Sequence, residues 1–331
     1  MIRVVLIIGM GLLAADIAHA ADCPDGSSFA SKVFNLDDGY DPVAVGKRAA
    51  VTPSCTQSNG NASTVRDAFL LAPDLLKIDL CSLKCVAVST NGGTWGKWAN
   101  KNFKGNGGNG MGDDSKVIGV ETSDLNIMLA KKLDKNLIGL SGNHVVASGT
   151  DTNALGLMYT LAHEMAHIKW HRDFTNGISP NCTQKNFIMT SWQGHAGSTV
   201  RRWTHFGEEF GDHKNNSIPF PSEVASDADI SNIYTVGGFA TALGATNPEE
   251  DFVEAYAVGA IIAANNAHLS DIQIDLKLNS AQPIHVFASD FRNNALLTFK
   301  IKTCALPLLT TTPGAGSEEG YGRKKSRKKS R

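Results

Sequence analysis

The most informative stretch of this sequence is Leu161-Ala162-His163-Glu164-Met165-Ala166-His167, which has the pattern H-E-x-x-H. It lies inside an apolar segment whose spacing predicts an α-helix, with Asp151 or Thr152 as the N-cap. Residues four apart lie one turn above each other on a helix, so the imidazoles of His163 and His167 project from the same face. Two imidazoles on one face can bind a single metal ion.

Glu164 lies directly beside this pair of histidines. A Zn²⁺ ion held by two imidazoles has room for a third protein ligand and a water molecule, and an adjacent carboxylate can take the proton of that water. The pattern therefore predicts a zinc hydrolase with Glu164 as the general base. The alternative is a structural helix with hydrogen-bonded core histidines, but burying two histidines around a carboxylate is costly without a compensating ion.

The N-terminus predicts export. Residues 1–20 combine Arg3, an apolar run and the small residues Ala18 and Ala20, which is typical of a secretory signal removed after Ala20. A short membrane anchor is the alternative, although the run is short for one. All six cysteines follow this segment and suit an oxidising compartment with up to three disulfides: Cys23, Cys55, Cys81, Cys85, Cys182 and Cys304. We therefore expect a secreted or periplasmic protein with no transmembrane segment.

Charge is distributed unevenly along the chain. The formal net charge is −1, but residues 323–331 contain seven Lys or Arg and no acid, so the remainder is acidic. The composition of 42% hydrophobic and 19% charged residues predicts a folded domain over 21–305. Residues 306–331 predict a disordered basic tail that can contact an anionic surface. No aromatic residue interrupts its basic run, which argues against specific binding of nucleic acid.

A helix with two histidines needs a third ligand from elsewhere in the chain. The metzincin pattern requires Gly at position 170 and His at position 173, but the chain has Trp170 and Asp173 there. His171 lies on the next turn at a poor angle to His163, so we expect it at the surface. The histidines of the following Gly- and Asn-rich stretch are expected in loops: His195, His205 and His213.

A stronger candidate for the third metal ligand lies in the helix predicted to begin after Asn247, and Asn247 can act as the N-cap of that helix. Glu250 and Glu254 are four residues apart on it and face the same way. Glu249 and Asp251 are expected only to complement the positive end of the helix dipole. Glu254 lies a full turn further in, beside aromatic residues, where a lone carboxylate needs a partner.

Together, His163-Glu164-x-x-His167 and Glu250-x-x-x-Glu254 resemble the gluzincin metallopeptidases. The run from Glu250 to Tyr256 is particularly similar to the third-ligand helix of anthrax-lethal-factor-like peptidases and related bacterial ones. The resemblance covers only the two motif helices. It implies a zincin-like α+β domain with a small sheet packed on the metal-binding helix. It also implies Zn²⁺ on His163, His167 and Glu250, with Glu164 as general base and Glu254 steadying a zinc-bound imidazole.

The chain departs from this family at one functional position. Such peptidases often have a tyrosine shortly before the glutamate ligand, which stabilises the oxyanion of the tetrahedral intermediate, whereas this chain has Leu243. Tyr234, Tyr256 or a loop histidine is left as an alternative donor. The long separation of the two motifs also predicts that residues 174–246 form inserted loops or a subdomain.

These features predict a secreted zinc metallopeptidase that cleaves a peptide or protein substrate. Two alternatives stay open. The first is a non-catalytic binding or adhesion module that zinc stabilises, and the second is a zinc amidase that acts on cell-wall peptides. A binding module fills the fourth coordination position with protein, whereas an enzyme leaves that position to water.

Overall fold

The structure, a computed structural model, describes residues 26–35, 60–89, 95–98, 116–137, 144–172, 181–192, 195–196, 199–200, 227–245, 247–278, 282–287 and 290–310. The predicted signal segment 1–20 and residues 311–331 of the predicted tail lie outside the described residues. So do Cys23, Cys55, His205 and His213. The predictions made for these parts of the chain stay predictions.

The described residues contain both helices and small sheets, which confirms the α+β class. The α-helices are α1 (Ser27–Ala30), α2 (Ala62–Leu70), α3 (Asp74–Cys81), α4 (Leu129–Lys135), α5 (Asn153–Arg172), α6 (Gln184–Ser191), α7 (Asp227–Thr235), α8 (Pro248–Asn266) and α9 (Ala295–Thr298). The strands are β1 (Val33–Asn35), β2 (Cys85–Ser89), β3 (Trp95–Trp98), β4 (Lys116–Glu121), β5 (Val145–Ser148), β6 (His195–Ala196), β7 (Thr199–Val200), β8 (Gln273–Leu276) and β9 (Ile284–His285). A π-helix follows α9 at Phe299–Ala305, and 3-10 turns lie at Thr122–Asn126, Leu243–Ala245 and Leu306–Leu308.

The largest sheet has the strand order β1-β2-β4-β3. Its first three members are parallel, with Val86 opposite Ile118, whereas β3 at the edge runs antiparallel to β4. Both β3 and β4 contact α5, so this sheet packs on the helix that carries H-E-x-x-H. The small sheet expected beside that helix is therefore present.

A second sheet, with the order β5-β8-β9, joins the two long helices. Strand β5 precedes α5 and strand β8 follows α8, and the two strands pair antiparallel with Val145 opposite Leu276. The backbone N–H of Thr150 also donates to the side chain of Asp271 at 2.8 Å. Because one end of each helix is fixed in the same sheet, α5 and α8 are held side by side.

Helix α8 is the centre of the core. Its residues are buried on every side from Asp251 to Ala264, as expected for a helix covered by other elements all round. Helix α5 packs along one side, and the residues after the π-helix cover another. An added Cβ at Gly259 would lie 3.1 Å from a methyl group of Leu309, which is itself fully buried. The prediction that the disordered tail begins at residue 306 is therefore wrong, because the folded part includes Leu309.

A disulfide joins Cys182 to Cys304 and so ties the chain before α6 to the π-helix. Cys81 and Cys85 are also disulfide-bonded. Within the predicted insertion, 174–246, the described residues form α6, the short β6-β7 pair and α7. Across the described part of the chain, every helix is too short or too polar to cross a membrane.

Candidate metal centre

The H-E-x-x-H helix begins with a side-chain cap at Thr152. The hydroxyl oxygen of Thr152 accepts a hydrogen bond from the backbone N–H of Leu155 at 3.1 Å, so Thr152 caps α5. Asp151, the other predicted cap, binds the neighbouring helix instead. Its two carboxylate oxygens accept from the backbone N–H groups of Leu129 and Ala130 at 2.9 and 3.0 Å, which caps α4.

The predicted metal ligands converge at the contact between α5 and α8. The imidazole rings of His163 and His167 lie 5.0 Å apart between centroids. The Nε2 atom of His163 is 3.7 Å from one carboxylate oxygen of Glu250, and the Nε2 atom of His167 is 3.6 Å from the other. One atom from each of the three residues can be chosen so that all lie within 4.8 Å of one another. The structure thus brings a carboxylate from α8 to both imidazoles of α5.

The second nitrogen of each imidazole faces its own carboxylate. His163 Nδ1 lies 2.7 Å from Glu254 Oε1, and His167 Nδ1 lies 2.8 Å from Glu249 Oε1. When Nδ1–H donates to these carboxylates, the lone pair of each Nε2 is directed to the Glu250 side. Glu254 therefore contacts one of the two predicted histidine ligands, while its predicted role behind a bound zinc ion stays a prediction. The expectation that Glu249 serves only the helix dipole is wrong, because Glu249 also contacts His167.

Two further side chains hold Glu254. Its Oε2 atom accepts from the hydroxyl of Tyr159 at 2.5 Å and from the hydroxyl of Thr241. Burial raises the pKa of Glu254, but the hydrogen bonds from His163, Thr241 and Tyr159 outweigh burial and leave that pKa below its usual value. Burial and the charge of Glu254 raise the pKa of Tyr159 well above its usual value. The hydroxyl therefore stays protonated and donates a hydrogen bond to Glu254. Glu254 is therefore an ionised acceptor fixed in one orientation.

Sequence reasoning identified neither Tyr159 nor Thr241. Tyr159 carried a usable signal, since it is four residues before His163 and thus lies on the same helical face. Thr241 lies between α7 and α8 without a regular pattern around it, and only the folded chain brings its hydroxyl to Glu254.

The proposed general base is almost completely buried. Glu164 is 4% exposed, and its Oε1 atom lies 3.8 Å from His163 Nε2. Burial raises the pKa of Glu164, although the nearby His163 and His167 oppose that rise. A carboxylate with a raised pKa accepts a proton more readily, which suits a base in a hydrolytic reaction.

The carboxylates also dominate the electrostatics of the two imidazoles. Burial alone lowers the pKa of His167, but its hydrogen bond to Glu249 and the charges of Glu250 and Glu164 raise that pKa to about 10. The pKa of His163 is also raised, because Glu254 and the neighbouring glutamates outweigh its burial. The cluster therefore attracts positive charge.

A metal cation fits this cluster. The Oε2 atoms of Glu250 and Glu164 are buried and, among the residues that the structure describes, have no hydrogen-bond partner. A buried carboxylate oxygen without a partner is costly, and a bound cation satisfies it. Two imidazole nitrogens and one carboxylate oxygen are the ligands of many catalytic zinc sites.

The comparisons with known proteins identify no relative. The chain matches no protein-family model, and it gives no significant match to a curated protein or to a solved structure. Its function is therefore inferred from the residues of this site.

A cavity of about 250 Å³ opens beside the cluster, and Leu243 is part of its wall. Its lining from α5 and α8 includes Tyr159, Thr160, His163, Glu164 and Glu254. The two tyrosines that the sequence offered as oxyanion donors are absent from the described lining. The hydroxyl of Tyr234 accepts from the backbone N–H of Ala242 at 3.3 Å, and the buried ring of Tyr256 lies 6.2 Å from that of Phe252. Leu243, which stands where the resembled family often has a tyrosine, lines the cavity but offers no hydroxyl.

Glu249 and Glu254 should both control metal affinity. We expect Glu254→Ala and Glu249→Ala each to weaken zinc binding about 10–100-fold, as the loss of a carboxylate behind a metal-binding histidine does. The dissociation constant is measured by competition with a chromogenic chelator.

Asp74→Ala is the matched control, because Asp74 is an exposed acid in the first turn of another helix, α3. It removes a dipole interaction without touching the site, so it should leave zinc affinity unchanged. If Glu249→Ala behaves like this control, the contact between Glu249 and His167 has no role in metal binding.

Proposed function

We propose that this protein is a zinc-dependent peptide hydrolase of the gluzincin type, with a zincin-like fold. His163, His167 and Glu250 would hold the zinc. The observation that carries the proposal is the convergence of these three side chains, whose candidate ligand atoms lie within 4.8 Å of one another. The carboxylates behind both imidazoles and the buried Glu164 beside them add to its support.

In this mechanism a bound zinc ion supplies Lewis acidity, which makes water a stronger nucleophile and polarises the substrate carbonyl. Glu164 accepts a proton from the attacking water and delivers it to the nitrogen of the leaving amine. The burial that raises the pKa of Glu164 supports both transfers, since the carboxyl group can hold the proton between them. Glu254 and Glu249 keep the two imidazoles in a fixed orientation throughout.

A peptide is the substrate class that the fold supports best. Strand β3 lies at the edge of the largest sheet and contacts α5, which carries the site. An extended peptide can pair with such an edge through its backbone, so the bond to be cut would lie near the helix. The disulfide between Cys182 and Cys304 supports the expected export, because disulfides persist in oxidising compartments.

The number of ligands favours an enzyme over a zinc-stabilised binding module. Structural zinc sites are usually closed by four protein ligands, whereas catalytic sites have three and one open position. Within the described residues, the cluster that can hold a metal consists of three side chains.

Metal analysis combined with a cleavage assay tests the proposal. We expect one zinc ion per chain, cleavage of casein or of a peptide library, loss of cleavage with a chelator, and recovery when zinc is added back. Cleavage confined to cell-wall peptides would instead identify the amidase alternative. A zinc-loaded protein that cleaves no amide bond would contradict a hydrolytic function.

A further inference from the structure

The cavity beside the candidate metal centre has a polar part of its lining that comes from neither α5 nor α8. This part consists of Asp124, from the turn before α4, and of Lys132 and Asn136, from α4 and its end. Thr160, His163 and Glu164 of α5 line the same cavity. A group bound in this cavity therefore lies among the predicted ligand His163, the predicted base Glu164 and the polar residues of α4.

Lys132 is the only lysine or arginine in the described lining of this cavity. Its Nζ atom lies 3.0 Å from Asp124 Oδ1, and the two side chains are 17% and 15% exposed. An ammonium group has three N–H donors, and one contact with Asp124 leaves capacity for further bonds.

Two contacts fix α4, and with it Lys132, to the H-E-x-x-H helix. Asp151, directly before α5, accepts from the first backbone N–H groups of α4. Gly156 of α5 lies so close to the chain before α4 that an added Cβ would be 2.1 Å from the carbonyl oxygen of Ile127. Helix α4 therefore cannot move far from α5, which holds the Lys132 backbone in a constant position relative to Glu164.

Peptide hydrolysis needs a donor for the oxyanion, and in the described lining the ammonium group of Lys132 is the charged candidate, beside the neutral amide of Asn136. When water adds to the peptide carbonyl, the oxygen of that carbonyl gains negative charge, and positioned donors that meet this charge raise the rate. Leu243 lines the cavity but has no donor. Tyr159 also lines it, but its hydroxyl donates to Glu254.

We propose that Lys132 is a catalytic residue that stabilises the oxyanion of the tetrahedral intermediate, and that Asp124 positions its ammonium group. This inference rests on the proposed hydrolytic function. As the water oxygen bonds to the carbonyl carbon, Glu164 takes a proton from the water and the carbonyl π electrons move to oxygen, where Lys132 donates a hydrogen bond. When the C–N bond breaks, the carbonyl re-forms and Glu164 gives its proton to the departing nitrogen. Lys132 keeps its proton throughout.

The test compares Lys132→Met, Lys132→Arg and the matched control Lys131→Met in the full zinc-loaded protein. Lys131 lies on the same helix but is exposed, and it is absent from the described lining of the cavity. For an uncharged peptide substrate, Lys132→Met should lower kcat on the order of 10²–10³-fold, the usual effect of losing an oxyanion donor, with little change in KM. Lys132→Arg should recover part of the rate, and Lys131→Met should behave like the unmodified protein.

A binding measurement provides a second readout that does not require turnover. A phosphonate peptide has a charged tetrahedral group like the intermediate, whereas a hydroxamate binds zinc without one. Calorimetry should show that Lys132→Met weakens binding of the phosphonate on the order of 10²–10³-fold and leaves hydroxamate binding unchanged. If Lys132→Met binds the phosphonate as tightly as the unmodified protein does, the proposed role of Lys132 is overturned.

The kinetic outcomes separate this inference from the proposed function. Undiminished kcat in folded Lys132→Met overturns the inference alone. So does a loss confined to KM for substrates with a carboxylate side chain, which would make Lys132 a residue for substrate recognition. If the unmodified zinc-loaded protein hydrolyses no peptide, the proposed function fails, and the phosphonate comparison still decides whether Lys132 binds a tetrahedral anion in this cavity.

Discussion

Replacement of Glu164 by glutamine is expected to abolish peptide cleavage while zinc stays bound. The substitution keeps the shape of the side chain but removes the carboxylate that accepts the proton of the attacking water. Positioned general bases contribute about 10²–10⁴-fold to rates, so kcat should fall by at least this range. Zinc should be retained, because the candidate ligand atoms belong to His163, His167 and Glu250 rather than to Glu164.

The measurement pairs zinc content with steady-state cleavage of a peptide substrate. Glu121→Gln is a suitable control, since Glu121 is a partly exposed glutamate at the end of β4 that accepts a hydrogen bond from Ser123 at 3.0 Å. It should change neither quantity. Cleavage by Glu164→Gln at the unmodified rate would refute the assigned mechanism, whereas loss of zinc would show that Glu164 acts as a ligand.

The convergence of His163, His167 and Glu250 could be anticipated because each half of the site is a local pattern. A spacing of four residues on a helix determines which side chains share a face, and a capped, apolar second helix can present a carboxylate in the same way. Asn247 does cap α8, since its side chain accepts from the backbone N–H of Glu250 at 2.9 Å. Helix geometry over a single turn selected the two histidines and placed Glu250 and Glu254 on one face, whereas the assignment of Glu250 as the third ligand came from the resemblance to gluzincins.

The contacts behind the site could not be anticipated in this way, because they depend on how elements distant in sequence pack. Glu249 is one residue from Glu250 and has no local feature that distinguishes a contact with His167 from an interaction with the helix dipole. Lys132 reaches the cavity because α4 is fixed to α5, in part by the side chain of Asp151. Both contacts depend on how two helices pack against each other, which the periodicity of the sequence does not determine.

The buried contact of Asp251 could not be predicted from local sequence either, and its loss is expected to have a large effect on stability. The sequence predicted that Asp251 would only complement the dipole of α8, but this prediction is wrong because Asp251 is fully buried. The ammonium group of Lys300, also fully buried, lies 2.9 and 2.8 Å from its two oxygens. Trp192 donates its indole N–H to Asp251 at 3.0 Å. The pair joins the first turn of α8 to the π-helix of the C-terminal segment.

Lys300 is held from several sides. Besides Asp251, its ammonium group donates to the carbonyl oxygen of Gly238 at 3.1 Å and lies 4.3 Å from the centre of the Phe239 ring. Burial lowers the pKa of Lys300 and raises the pKa of Asp251, while the charge of each partner opposes the shift of the other. Each charge in this interior is therefore tolerated because the other is present.

Lys300→Met should lower the free energy of unfolding by about 3–5 kcal/mol, because it leaves the carboxylate of Asp251 buried without its counter-charge. Urea unfolding followed by tryptophan fluorescence measures the change. Lys302→Met is the matched control two residues further along the π-helix. Lys302 is exposed, with its ammonium group 5.1 Å from the centre of the Phe291 ring, so its loss should cost no more than about 1 kcal/mol.

The double variant Asp251→Asn with Lys300→Met separates the cost of an unpaired charge from the loss of packing. It removes both charges, and the asparagine oxygen can still accept from the Trp192 indole. Replacing both members of a buried pair is often nearly neutral, so the double variant should recover most of the stability that Lys300→Met loses. If it is as unstable as Lys300→Met alone, the lost stability comes from the contacts of the ammonium group with Gly238 and Phe239 and not from the unpaired charge of Asp251. If Lys300→Met costs less than about 1 kcal/mol, Asp251 tolerates the loss by binding a proton, as its raised pKa allows.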